Sequence, residues 1–272
     1  MPHQTVSFTR RNFLHLGALL TSATTLGFSG LFGLSPAAAA ADGDDVQTML
    51  DVAATAETFA CTHYHRALTS KVKFSAVQIS YIKAALDEEL AHLEFLNKNG
   101  AVAKAQSFYF PTGTFNTPAS FGGVSAIAET VFVGAYLAAT RRFAELGNPI
   151  LAATTAQIAV VEGQHLALVR QTAGELPNNL AFAEPIFFNV SEAVGAVAPL
   201  LTGKQGGLGA MEATSVTYPG AAVIRAAIGK SLLAPAKPFT DVTAPTSGTA
   251  AATQNATAAA TQRATSAATA IK

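Results

Sequence analysis

Apolar residues recur at intervals of three and four along four stretches of the chain, the spacing that lines one face of an α-helix. The stretches run over 46–69, 76–97, 123–146 and from Asn148-Pro149 to Gly174. Asn148 is a good cap, and Pro149 suits the first helical position, where a missing N–H costs nothing. The second stretch stops near Asn99-Gly100, a helix-ending pair. Residues 71–75 and 147–149 are short turns, and short turns make antiparallel neighbours. Between the second and third helices lies a longer segment, 100–122, carrying Phe108, Tyr109, Phe110, Phe115 and Phe121. Aromatic side chains pack, so this crossover is expected to be ordered. Two helical hairpins joined by one crossover make an all-α four-helix bundle.

Each apolar stripe is interrupted by a glutamate. Glu57 lies along the face of Ala53, Ala54, Cys61 and Tyr64, and Glu89 among Ile82, Leu86, Leu93 and Leu96. Glu129 is flanked by Phe132, Val133 and Tyr136, and Glu162 by Ile158, Val161 and Val169. A carboxylate in an apolar stripe is costly unless it is paired or bound to a cation. Two of these glutamates precede a histidine by three residues, in Glu89-Leu90-Ala91-His92 and Glu162-Gly163-Gln164-His165. Residues three apart share a helix face, so each pair points a carboxylate and an imidazole the same way.

Hairpin geometry tests whether these side chains meet. Two residues of an antiparallel pair face each other when the turn lies midway between them. The midpoint of Glu57 and Glu89 falls inside the 71–75 turn, and that of Glu129 and Glu162 beside the turn at Gly147. The two hairpins therefore look like copies of one unit: a lone glutamate, a long gap, then Glu-x-x-His. Each also carries a tyrosine seven residues after its lone glutamate, Tyr64 and Tyr136.

One glutamate from each of two helices plus Glu-x-x-His from each of the other two resembles the ligand set of the ferritin-like di-iron and di-manganese proteins. Over about 46–174, and on through Ala181-Phe182-Ala183-Glu184-Pro185, the chain is similar to a secreted branch of that superfamily, grouped with desiccation- and stress-related proteins. The resemblance implies a ferritin-like bundle in which Glu57, Glu89, His92, Glu129, Glu162 and His165 hold two iron or manganese ions. It implies that Glu89 and Glu162 bridge the pair while Glu57 and Glu129 are terminal, with one histidine per ion. Tyr64 and Tyr136 are read either as core packing or as partners of the ligands or a redox relay. His63 and His65 are expected at the surface, with His65 the better candidate to support a ligand. Glu88 and Glu94 are expected to be solvated, and Cys61 to be a small buried residue.

Composition narrows the rest. The 272 residues carry 17 basic and 17 acidic side chains, without the basic runs that bind nucleic acid. A single cysteine excludes an internal disulfide. Thr9-Arg10-Arg11-Asn12-Phe13-Leu14, the apolar stretch after it and the alanines at 37–41 resemble a twin-arginine export signal. An uncleaved membrane anchor is the other reading of that stretch. The chain then divides into a signal (1–41), the bundle (42–176), an irregular extension expected to pack on it (177–240) and an Ala/Thr-rich tail (241–272). The tail is too poor in large apolar residues to order itself. The glycine-rich run 203–209 lacks the context of a phosphate loop and reads as a linker.

The expected protein is exported, to the periplasm, the cell surface or the exterior, with no membrane span once the signal is removed. Its partners are small molecules, peroxide or O2, and not nucleic acid; a homo-oligomer is left open. Hard carboxylates and imidazoles without thiolates favour iron or manganese. The leading function is an oxidoreductase, either a ferroxidase or catalase-like, in stress protection. The alternative is a non-enzymatic protective protein whose metal serves stability.

Overall fold

The computed structural model describes residues 43–203 and 213–243. The segment expected to be an export signal, most of the glycine-rich run and the Ala/Thr-rich tail beyond 243 lie outside the described residues. Four long helices form the framework: α1 Val46–Leu68, α2 Ala76–Lys98, α3 Pro118–Glu145 and α4 Pro149–Thr172. Each starts where a side chain accepts from a free backbone N–H of the first turn. Asp45 accepts from Thr48, Ser75 from Gln78, Thr117 from Ser120 and Asn148 from Leu151. At Ser75 and Thr117 the partner side chain returns a bond to the cap backbone, a reciprocal capping box.

The third helix begins five residues before the expected Gly123. The sequence pattern assigned Pro118 and Phe121 to the crossover, whereas the Thr117 box and Pro118 start the helix there. The helices pack as α1 on α2 and α3 on α4, the two hairpins then facing each other. Close packing of α3 needs two glycines. A Cβ at Gly122 would lie 2.6 Å from the backbone of Val169 and Ala173 in α4, and one at Gly134 would lie 2.5 Å from Ile186. The most apolar stretch of α3 is long enough for a bilayer, but 67% of it is buried inside the protein.

The crossover is ordered and contains a strand that helical periodicity had no means of finding. β1 Ser107–Pro111 pairs antiparallel with β2 Ala213–Thr217, with Phe108 opposite Val216. Its period-two alternation turns Phe108 and Phe110 inward, where both rings meet Phe59 of α1. The segment after α4 is less irregular than expected, holding α5 Glu192–Thr202 and α6 Ala221–Ile228 besides β2. α5 lies against α3. α6 lies against α2, and the Asp87 carboxylate holds the following turn by accepting from the Ser231 hydroxyl and the Leu232 N–H. A separate unit begins at Lys237, and its described residues hold one short 3-10 turn, Phe239–Asp241.

Candidate metal centre

The four interrupting glutamates come together in the middle of the bundle, one from each helix. Glu57, Glu89, Glu129 and Glu162 are each exposed by 1% or less. With the two histidines they form two overlapping clusters, Glu57–Glu89–His92–Glu162 and Glu89–Glu129–Glu162–His165. Within each cluster the donor atoms all lie within 4.8 Å of one another. Glu89 and Glu162 are common to both.

Both imidazoles turn Nδ1 toward this centre. His92 Nδ1 lies 3.2 Å from Glu162 and 3.8 Å from both Glu57 and Glu89. His165 Nδ1 lies 3.1 Å from Glu89 and from Glu162, and 3.9 Å from Glu129. The far nitrogens differ. His165 Nε2 meets the Glu88 carboxylate at 2.7 Å, whereas the ion-pair contacts of His92 all fall on Nδ1. In the other hairpin the residue preceding the Glu-x-x-His motif is Val161, not a glutamate.

The tyrosines cross between the hairpins. Tyr64 of α1 donates to Glu129 of α3, and Tyr136 of α3 donates to Glu57 of α1. Each occupies one oxygen of a lone glutamate and leaves the other, Glu57 Oε2 or Glu129 Oε2, turned inward without a hydrogen bond. Glu89 Oε1 and Oε2, Glu162 Oε1 and His92 Nδ1 are likewise buried without one. Buried polar atoms are rarely left this way, because the lost hydration is not repaid. Such a concentration of inward-facing oxygen and nitrogen donors in one place is a donor set that fits a cation.

The protonation pattern fits that reading. Burial, then the charges of Glu89 and Glu162, push the Glu57 carboxyl well above its usual value. Burial and Glu89 do the same to Glu129. Burial alone would raise Glu89 as well, but the approach of the Glu57 carboxyl and the charge and contacts of His165 and His92 hold it below the usual range. Burial would lower both histidines, yet the surrounding carboxylates raise His92 and His165 well above the ordinary imidazole value. These four groups therefore keep their protons to higher pH than free carboxyls and imidazoles do. Burial and the adjacent glutamates also raise both tyrosines, so they remain protonated donors.

Two expectations about neighbouring residues change, those for His63 and Glu88. His63 is not a surface residue: it is 1% exposed, stacked between Phe110 and Phe121, and its Nε2 shares a hydrogen bond with the Ser125 hydroxyl at 2.8 Å. The aromatic crossover, invisible to helix counting, covers it, and burial lowers its pKa to about 3. His65 remains partly exposed. Glu88 is only partly solvated, because its side chain reaches across to His165 on the adjacent helix; Glu94 is exposed and pairs with Arg225 of α6. Cys61 is fully buried.

No curated protein and no solved structure matches the chain significantly. The family model of the ferritin-like domain matches residues 44–175, the four helices and every residue of the cluster. Helix order, crossover and buried Glu/His core agree with that match, and residues 44–175 form an all-α bundle of the ferritin-like fold.

Proposed function

We propose that the domain holds two iron or manganese ions and that the protein is an exported oxidoreductase acting on peroxide or O2. The observation that carries this is the set of six buried donor atoms, none with a hydrogen bond, converging from four helices. Glu57 with His92 would complete one ion's surroundings, Glu129 with His165 the other's, and Glu89 with Glu162 would serve both. Four carboxylates and two imidazoles are hard donors suited to iron or manganese. Bound there, such a pair of ions supplies a two-electron exchange with O2 or peroxide.

The chain's own part is positioning and proton control. Tyr136 and Tyr64 fix the rotamers of Glu57 and Glu129 by holding one oxygen each, leaving the second oxygen for a cation. Glu88 orients the His165 ring so that Nδ1 faces inward. Surrounding apolar side chains, Ile158, Leu86 and Phe132 among them, exclude bulk water and strengthen every charge interaction inside. Protons that the raised Glu57, Glu129, His92 and His165 hold would have to leave when a cation binds, so binding would release acid.

A second reading is favoured by how closed the site is. The four glutamates and His165 are exposed by 2% or less, and only His92 retains 14% side-chain exposure. A sealed site suits a protective bundle whose metal serves stability. Elemental analysis of protein from its native host, with peroxide- and O2-consumption assays against free-metal controls, separates the readings. About two ions per chain with turnover above controls supports the enzyme. Bound metal without turnover leaves the protective bundle, and protein without metal removes both.

Export through the twin-arginine route is part of the proposal and rests on Arg10-Arg11 and the stretch after them. That route carries folded proteins, which suits a chain that must acquire its metal first.

A further inference from the structure

Beside the metal centre, between α1, α3 and α5, lies a cavity of about 60 Å³. Its wall is built from residues such as Ala53, Phe59, Ala135, Ala193, Val194 and Val197. Three hydroxyls also reach it, and each is already engaged. Thr55 donates to the Asp51 carbonyl and accepts from the Lys104 N–H. Thr155 is bonded to the Leu151 and Ala152 carbonyls and to Thr140. Tyr136 donates to Glu57. A water needs two to four polar partners to settle, and this wall offers no uncommitted side-chain donor. The cavity is therefore suited to an apolar guest.

Size and position narrow the guest further. An apolar cavity of about 150 Å³ takes up benzene or xenon. Less than half that volume leaves room for a diatomic or a single xenon atom, not for a hydrocarbon chain or ring. The Tyr136 ring forms part of the wall, and its hydroxyl is bonded to Glu57, so one aromatic ring separates the cavity from the carboxylate cluster. Ala56, adjacent to Glu57 in the chain, also lines it. Hydrogen peroxide carries two O–H groups that would be stranded in such surroundings, a loss of several kcal/mol in a fully apolar medium. Dioxygen carries none.

We infer that this cavity is a binding site for small apolar gas molecules, with O2 as the guest held next to the metal centre. The inference rests on the oxidoreductase reading for its purpose and deepens it, since it selects O2 over peroxide as the molecule stored beside the cluster. α5, which contributes Ala193, Val194 and Val197, then supplies part of the gas site's wall.

The test uses metal-free full-length protein with labelled methyl groups, so that it does not depend on turnover. Under xenon, the methyls of Ala135, Val194 and Val197 should show saturable shifts. Under dissolved O2 the same methyls should broaden more than other buried methyls of similar depth. Val197→Phe fills the cavity from the α5 side and should abolish both effects; Ala193→Leu serves if that variant fails to fold. In the metal-loaded protein the O2 concentration giving half-maximal Fe(II) oxidation should rise several-fold in the filled variant, while the peroxide dependence stays unchanged. Absence of xenon shifts and O2 broadening in the wild type would overturn the gas site, as would their persistence in both filled variants. Equal changes for O2 and peroxide would overturn the assignment of O2. A protein that binds gas yet holds no metal would sink the oxidoreductase reading and leave the cavity assignment standing.

Discussion

Replacing Glu57 by glutamine should stabilise the metal-free protein at high pH while weakening its hold on metal. In the folded chain burial, reinforced by Glu89 and Glu162, keeps the Glu57 carboxyl protonated well above its usual value of 4.5. The unfolded chain leaves the same group in water, where it ionises at that usual value. From there up to the raised value, the folded state carries the extra proton, so stability falls as pH rises. One such group contributes a slope of at most about 1.4 kcal/mol per pH unit. Between pH 6 and pH 8 the loss through Glu57 alone is therefore at most about 2.7 kcal/mol. Glutamine has the shape of the neutral acid and an oxygen that can still accept from Tyr136, but it has no proton to lose. The assay is urea unfolding in the presence of a chelator at both pH values. The wild type should lose stability over the interval and Glu57→Gln should lose less. Glu129, and above 6.5 His92 and His165, are raised too and carry the same sign, so a residual slope should persist in the variant. Glu89 is shifted downward; its contribution is complete above 4.5 and stays flat over the interval. If the variant lost stability as steeply as the wild type, Glu57 would not be held protonated and the account of the empty core would be wrong.

Glu89→Ala or Glu162→Ala should each remove metal from both positions, read by elemental analysis, because each residue belongs to both clusters; full retention would refute a bridging role. Glu88→Ala should weaken metal binding at the His165 position by about 10–100-fold and leave the His92 position less affected, read by metal titration. Tyr136→Phe should leave Glu57 with a second unpaired oxygen and cost the metal-free protein about 1–3 kcal/mol in urea unfolding; an unchanged midpoint would mean that the cross-hairpin bond carries no stability. Lys at both Arg10 and Arg11 should leave precursor in the cytoplasm on fractionation, and normal secretion would point to another route or an anchored chain.

Much of the architecture was legible in the order of the residues. Helix spacing is local: a stripe of apolar residues every three to four positions marks a helix whatever it packs on, and Asn99-Gly100 and Asn148-Pro149 mark helix ends. The meeting of four glutamates was legible for a related reason. Two helices joined by a short turn have a register set by chain length alone, so Glu57 opposite Glu89 and Glu129 opposite Glu162 follow from counting residues to the turn. The all-α bundle and its crossover follow from the same local rules.

What depends on contacts between distant segments was not legible. His63 lies on a face that an isolated helix would expose, and the rings of Phe110 and Phe115 from the crossover and Phe121 from α3 bury it. Glu88 faces away from its own stripe, and only the placement of α4 beside α2 puts His165 Nε2 within 2.7 Å of it. The crossing of Tyr64 and Tyr136 to the opposite hairpin, and the apolar cavity under α5, likewise exist only because two hairpins and a later helix come together. Periodicity within a helix says which face is apolar, and turn length says which helix is its neighbour. The angle and depth at which separate hairpins, strand and extension dock depend on side-chain packing across the whole core, and only the tertiary structure decided them.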